Sequence, residues 1–257
     1  MALYAWALLA LVAAAVSADV SRVLDGQAVA IESYPFVVQV DFLQPGGVWS
    51  QACAGALIST KWTLSAAQCF SGASYPGVTH RRIRAGTAKR NSRGVLYTIA
   101  RIINHPDYGL AAPRDSDVSL VELSTLATLS STIQTVSINV AGSELPGTTA
   151  VRLLGWGQIR LNGPSSLQLR DGIANNLALE TCASRYDRGS ITTNMFCTLS
   201  SSAEEQTSCQ GDNGGPVVLN NVVVGLVSWG NGCVVSSYPA VHTKVSAFTN
   251  WIVANAV

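Results

Sequence analysis

The chain is short of charge, of histidine and of any second long apolar run. Charged residues make up 12% of its 257 residues and the formal net charge is +1. That balance does not point to nucleic acid, whose phosphates call for a clear basic excess. Its three histidines, His80, His105 and His242, are scattered, and its six cysteines contain no C-x-x-C spacing, so no resident metal is expected. After residues 1–18 no stretch approaches the roughly 20 apolar residues a spanning helix needs, so no membrane partner is expected. No N-x-S/T sequon occurs, which removes the usual acceptor for N-linked glycan. Lysine is scarce too, three against thirteen arginines. Guanidinium keeps its charge at high pH, where ammonium begins to titrate, which hints at an alkaline setting.

What is present starts with a leader. Residues 1–18 are apolar and close on Val16-Ser17-Ala18, small residues of the kind a signal peptidase accepts. A secreted, extracellular protein is therefore expected, and in an oxidising compartment its six cysteines should pair. Sequence alone leaves several pairings open. Short β-branched and aromatic runs at 36–42, 81–85, 95–103, 118–123, 151–156 and 222–229 recur between Gly, Pro and Asn turns, an all-β pattern. The one late helical candidate is 246–254, where Phe248, Trp251 and Ile252 are spaced to share a face. The chain shows no internal repeat and no low-complexity segment.

Three segments carry chemistry. Residues 209–216 read Cys-Gln-Gly-Asp-Asn-Gly-Gly-Pro, residues 65–69 read Ser-Ala-Ala-Gln-Cys, and residues 115–120 read Asp-Ser-Asp-Val-Ser-Leu. Asn-Gly alone is a turn signal. Taken together, 65–69, 115–120 and 209–216 resemble, in chain order, the T-A-A-H-C, D-x-A-L-L and G-D-S-G-G-P motifs of trypsin-like serine proteases. The likeness extends over essentially all of the chain after the leader. WSQAC, RIINHP and CQGD are similar to stretches in gut proteases of moths and butterflies, which would place the protein in a gut lumen.

The resemblance implies two six-stranded antiparallel β-barrels with a cleft between them and a C-terminal helix, spanning 23–257, with the barrel boundary near 130–140. It implies the pairings Cys53 with Cys69, Cys182 with Cys197, and Cys209 with Cys233. It implies a short activation peptide, 19–22, cut after Arg22 so that the new terminus at Val23 meets Asp212, although Leu24-Asp25 departs from the family's V-G. It also implies a primary pocket with Thr207 at its base and Gly230 and Ala240 on its walls. A neutral base there suits small or apolar side chains better than basic ones. Ser228-Trp229-Gly230 would pair with an extended peptide as an added strand. Gly211 and the backbone of Asn213 would offer oxyanion-binding N–H groups.

The departures matter more. Asn213 stands where the nucleophilic serine would be, and a carboxamide has no proton to surrender. Gln68 stands where the base histidine would be, and an amide does not take a proton near neutral pH. Asp117, the remaining triad position, becomes a buried carboxylate that needs partners, expected from Gln68, Ser228 and nearby N–H groups. His105, well after Cys69, is expected to be a loop histidine.

The expectation is a secreted serine protease homologue without activity, free of cofactors, acting as a binding or regulatory protein. Its partners would be extended peptides, substrate-mimicking protease inhibitors, or active proteases. The alternatives are a weakly active endopeptidase and a storage or structural secretion with an idle cleft. Arg81, Arg82, Arg84, Lys89, Arg90 and Arg93 form the most basic window. It reads either as a solvated face or as a site for an anionic partner, and without carboxylates it does not suit calcium.

Overall fold

The computed structural model describes residues 26–73, 75–158, 162–200, 211–231 and 238–257. After a two-residue strand β1 (Gln27–Ala28) come β2 (Val37–Leu43), β3 (Trp49–Leu57), β4 (Trp62–Ser65), β5 (Arg81–Ala85), β6 (Val95–Asn104) and β7 (Ser119–Leu123). These last six close a barrel in the order β2-β3-β4-β7-β6-β5. Closure removes the free edges that an open sheet would expose. Alternation decides what goes inside. Val38, Val40, Ile83, Leu57 and Val121 form the interior with Phe70, while Arg82 and Arg84 turn to Asp41 on β2, at 3.0 and 2.9 Å.

The second barrel is built from β9 (Ala150–Gly155), β10 (Arg170–Leu177), β11 (Met195–Ser200), β12 (Pro216–Leu219), β13 (Val222–Trp229) and β14 (Ala240–Lys244), preceded by the short β8 (Ser137–Ile138). The ring runs β10-β11-β14-β13-β12-β9 and closes because β9 pairs back onto β10. Val151, Leu153, Phe196, Val217, Val224 and Val227 fill it. β1 adds to β10, and β8 lies parallel to β13.

A third apolar cluster joins the barrels. Trp62, Leu64 and Leu120 of the first pack with Leu154, Trp156 and Leu226 of the second. Each such side chain, fully buried, contributes about 1.5–3 kcal/mol before its entropy cost. The two tryptophans also satisfy their indole N–H groups: Trp62 donates to the Val257 carbonyl at 3.2 Å and Trp156 to that of Ala88 at 2.6 Å. The late helix forms as α2 (Thr249–Asn255), following α1 (Leu179–Ala183). Phe248 and Ile252 enter the seam and Trp251 packs against it, the face expected from their spacing.

Two of the three implied disulfides are present, Cys53 with Cys69 and Cys182 with Cys197. The third, Cys209 with Cys233, lies outside the described residues, as do the leader, Arg22, Val23 and Thr207.

Candidate active site

The site sits where the seam opens between the barrels. Gln68 rides on a single 3-10 turn, Ala67–Phe70, immediately after β4. The disulfide from its neighbour Cys69 to Cys53 of β3 holds that turn in place. Asp117 precedes β7 and is 0% exposed, and its own carbonyl accepts from Thr243 Oγ1 on β14 at 2.8 Å. Ser228 lies on β13 at a register irregularity between Val227 and Trp229, and a bulge re-aims side chains in this way.

These three residues converge on one carboxylate. Gln68 N donates to Asp117 Oδ1 at 2.9 Å and Gln68 Nε2 to Oδ2 at 2.6 Å. Ser228 Oγ donates to the same Oδ2 at 2.5 Å. Burial is the strongest influence on Asp117 and raises its pKa; the bonds from Ser228 and Gln68 pull it back down. Gln68 Nε2 makes a second bond, 2.7 Å to the Ser228 carbonyl. An amide nitrogen has two protons, so both are spent inside the protein. The partners expected for Asp117 are the ones it has.

Asn213 occupies a tight turn pinned to both barrels. Its carbonyl accepts from Ala54 N at 2.8 Å and lies 3.8 Å from Cys69 Sγ, which puts the turn beside Gln68. Gly211 and Gly214 have φ of +102° and +77°, backbone conformations that favour glycine. Gly214 N donates to Val227 O at 2.7 Å, and a Cβ there would overlap Ser65 Oγ. Asp212 Oδ1 accepts from Gly157 N at 2.7 Å. A Cβ on Gly155 or Gly157 would collide with that carboxylate.

β13 ends at Trp229 and is followed by Gly230, which is exposed, with Ala240 buried on the neighbouring strand β14. Tyr186 packs edge-on against Trp229 with ring centroids 4.9 Å apart, and its hydroxyl donates to Pro239 O. With Ser184, Gly230, Asn231 and Tyr238 the pair lines a cavity of about 490 Å³. Trp229 Nε1 is buried and has no hydrogen-bond partner among the described residues.

The residues of the basic window differ in exposure. Arg81 and Arg84 are buried, Arg81 stacking 3.4 Å over Phe42, and only Lys89 and Arg93 are exposed. His105 does more than occupy a loop. Its ring packs against Phe248 at 5.0 Å and Trp251 at 4.9 Å, and burial lowers its pKa. Sequence reasoning passes over His242, which is 0% exposed inside the second barrel, bonded to Thr198 Oγ1 at 2.8 Å. Only its position on an inward-facing strand register could have flagged it. It also misses Gln51, a buried side chain that reaches the Gly211 carbonyl at 2.7 Å. Among the described residues no cluster of His, Cys, Asp or Glu could hold a metal, and no helix is long and apolar enough to cross a membrane.

Comparison with known proteins agrees with this architecture. The family model described as Trypsin matches residues 23–252. The chain is similar to Trypsin CFT-1 of Choristoneura fumiferana, 38% identical over 255 residues, 97% of this chain and 98% of that protein. It is similar to Trypsin, alkaline B of Manduca sexta, 35% identical over 245 residues, 95% and 94% of the two chains. Trypsin delta of Drosophila melanogaster is 35% identical over 239 residues, covering 91% and 88%. Two closed six-stranded barrels, the order of the three motifs and these matches lead to one conclusion: the chain belongs to the trypsin-like serine protease family.

Proposed function

We propose that this family member is a secreted protein that does not cut peptides and serves as a binding or regulatory partner. The observation that carries the reading is the use of Gln68. Both of its Nε2 protons are committed, to Asp117 Oδ2 and to the Ser228 carbonyl, and its remaining amide oxygen is too weak a base to deprotonate a hydroxyl near neutral pH. Asn213 then leaves no hydroxyl to deprotonate. In subtilisin, a serine protease built on another fold, losing nucleophile or base alone costs about a million-fold in turnover, so either substitution suffices.

What the cleft keeps supports capture. The Ser228-Trp229-Gly230 strand and the cavity beside Trp229 suit an extended peptide added as a strand, whether a free peptide, an inhibitor loop or a segment of an active protease. Thr207 at the pocket base would favour small or apolar side chains. The leader and the Arg22 junction support secretion followed by cleavage. Two relatives are named alkaline trypsins of a moth, and the excess of arginine over lysine fits a similar alkaline lumen. A second reading, a weakly active endopeptidase, draws on the relatives being named trypsins.

Binding tests the proposal. A small Kunitz-type inhibitor carrying an apolar contact residue should bind the Arg22-cleaved protein with micromolar or tighter affinity and dissociate intact. Gly230→Glu, which places a carboxylate on the strand edge, should abolish the complex. Absence of binding by the unaltered protein would refute the groove-capture role.

A further inference from the structure

The loop between β5 and β6 is tied by buried side chains to the turn that carries Asn213. Gln51 on β3 is 1% exposed. Its Nε2 donates to the Gly211 carbonyl at 2.7 Å and to the Cys53 carbonyl at 3.1 Å. Its Oε1 accepts from Arg90 Nε at 2.7 Å, and Arg90 Nη2 donates to the Gln51 carbonyl at 2.7 Å. The Gln51 backbone N–H in turn donates to Asn91 Oδ1 at 2.6 Å. Gln39, on the adjacent β2 and 0% exposed, takes the next rung: its Oε1 accepts from Asn91 N at 2.9 Å and its Nε2 donates to Lys89 O at 3.0 Å.

The same loop also holds the second barrel. Ala88 O accepts from Trp156 Nε1 at 2.6 Å and from Leu169 N at 2.7 Å, and Arg90 N donates to Leu167 O at 3.0 Å. Gly211, by contrast, has no side chain to pack and sits at φ +102°. Its orientation therefore depends on what holds its backbone. Among the described residues the Gln51 side chain reaches its carbonyl, and Arg90 fixes the rotamer of Gln51 by a charge-assisted bond to the opposite end of the amide.

We propose that Gln51 and Arg90 are positioning residues for the peptide-binding groove, strapping the β5–β6 loop to the Gly211 carbonyl and so fixing the backbone donors of the 211–213 turn. The proposal rests on the groove-capture reading, and its test separates the two. Gln51→Glu keeps an acceptor for Arg90 and sets a carboxylate against the Gly211 carbonyl. Arg90→Leu frees the Gln51 amide. Lys89→Ala, exposed on the same loop, is the control.

Two quantities are measured on the cleaved protein: the backbone amide NMR signal of Gly211, and the affinity for the Kunitz-type inhibitor. In Gln51→Glu the Gly211 signal should move and Kd should rise about tenfold or more, the loss of one good hydrogen bond plus a repulsion. In Arg90→Leu both should change in the same direction by less, and in Lys89→Ala neither should change. An unmoved Gly211 signal in Gln51→Glu overturns the strap. A moved signal with unchanged affinity overturns its role in the groove. If the unaltered protein binds no inhibitor, the groove reading fails and the Gly211 signal alone decides the strap.

Discussion

Replacing Gln68 by leucine removes the Nε2 donor from Asp117 Oδ2 and from the Ser228 carbonyl while keeping most of the side-chain volume. The backbone bond from Gln68 N and the bond from Ser228 Oγ remain. A hydrogen bond to a charged group contributes about 1.5–3 kcal/mol, and the orphaned carbonyl adds to the cost, so the variant should lose roughly 2–3 kcal/mol at neutral pH. For a domain of this size that is a fall in Tm of about 5–10 °C. The loss should depend on pH in a definite direction. Burial holds the Asp117 pKa above its ordinary value, so the folded state binds the proton more readily than the unfolded one. Stability from this group therefore falls as pH rises from the ordinary carboxylate value through the folded pKa. Removing a bond that lowers the pKa raises it further and extends that window upward. The difference in Tm between the two proteins should be largest at neutral and alkaline pH and shrink as acid protonates Asp117 in both. Thermal melting of both proteins from about pH 4 to 9 measures it. A difference below about 0.5 kcal/mol, or one that does not change with pH, would refute the view that the Gln68 amide supports a buried ionised carboxylate.

Two further outcomes follow from the second barrel. Burial lowers the His242 pKa to about 3 from 6.5, so the unfolded chain binds the extra proton between those values and stability should fall by roughly 1.4 kcal/mol per pH unit as pH drops through that window; His242→Phe should flatten this part of the pH–Tm curve, and an unchanged slope would contradict the assignment. A Cβ at Gly225 would overlap the Phe196 ring, so Gly225→Ala should cost about 1–3 kcal/mol by overpacking, read as a lowered Tm, and a variant as stable as the parent would show the ring can move aside freely.

The parts legible in the sequence are those where local pattern and tertiary structure agree. Residues 81–85 and 222–229 alternate or run apolar between turn residues, and they form β5 and β13 over those spans. β10 is illegible because Arg-Asp-Gly-Ile-Ala-Asn-Asn-Leu is poor in strand formers; it is a strand because β9 and β11 flank it and the barrel must close. β3 hides behind small residues, Ala52 to Ala56, whose size matters only once the neighbouring strands are in place, as at Gly55, where a Cβ would overlap Leu64 O and Thr63 of β4. At the site, the Gln68–Asp117–Ser228 cluster can be read from motif order, since each residue sits at a fixed offset from a cysteine or a strand. The Gln51–Arg90–Gly211 chain cannot. It joins residues 39 and 160 positions apart, and nothing in their own neighbourhoods marks them as partners.

The central claim is that the groove holds peptides without cutting them, and peptide hydrolysis tests it most directly. The Arg22-cleaved protein and its Gln68→His/Asn213→Ser variant would be given the same fluorogenic peptide mixture. The unaltered protein should show no turnover above the blank, and the double variant should cleave measurably after small or apolar residues. Cleavage by the unaltered protein that disappears in Asn213→Ala would contradict the claim.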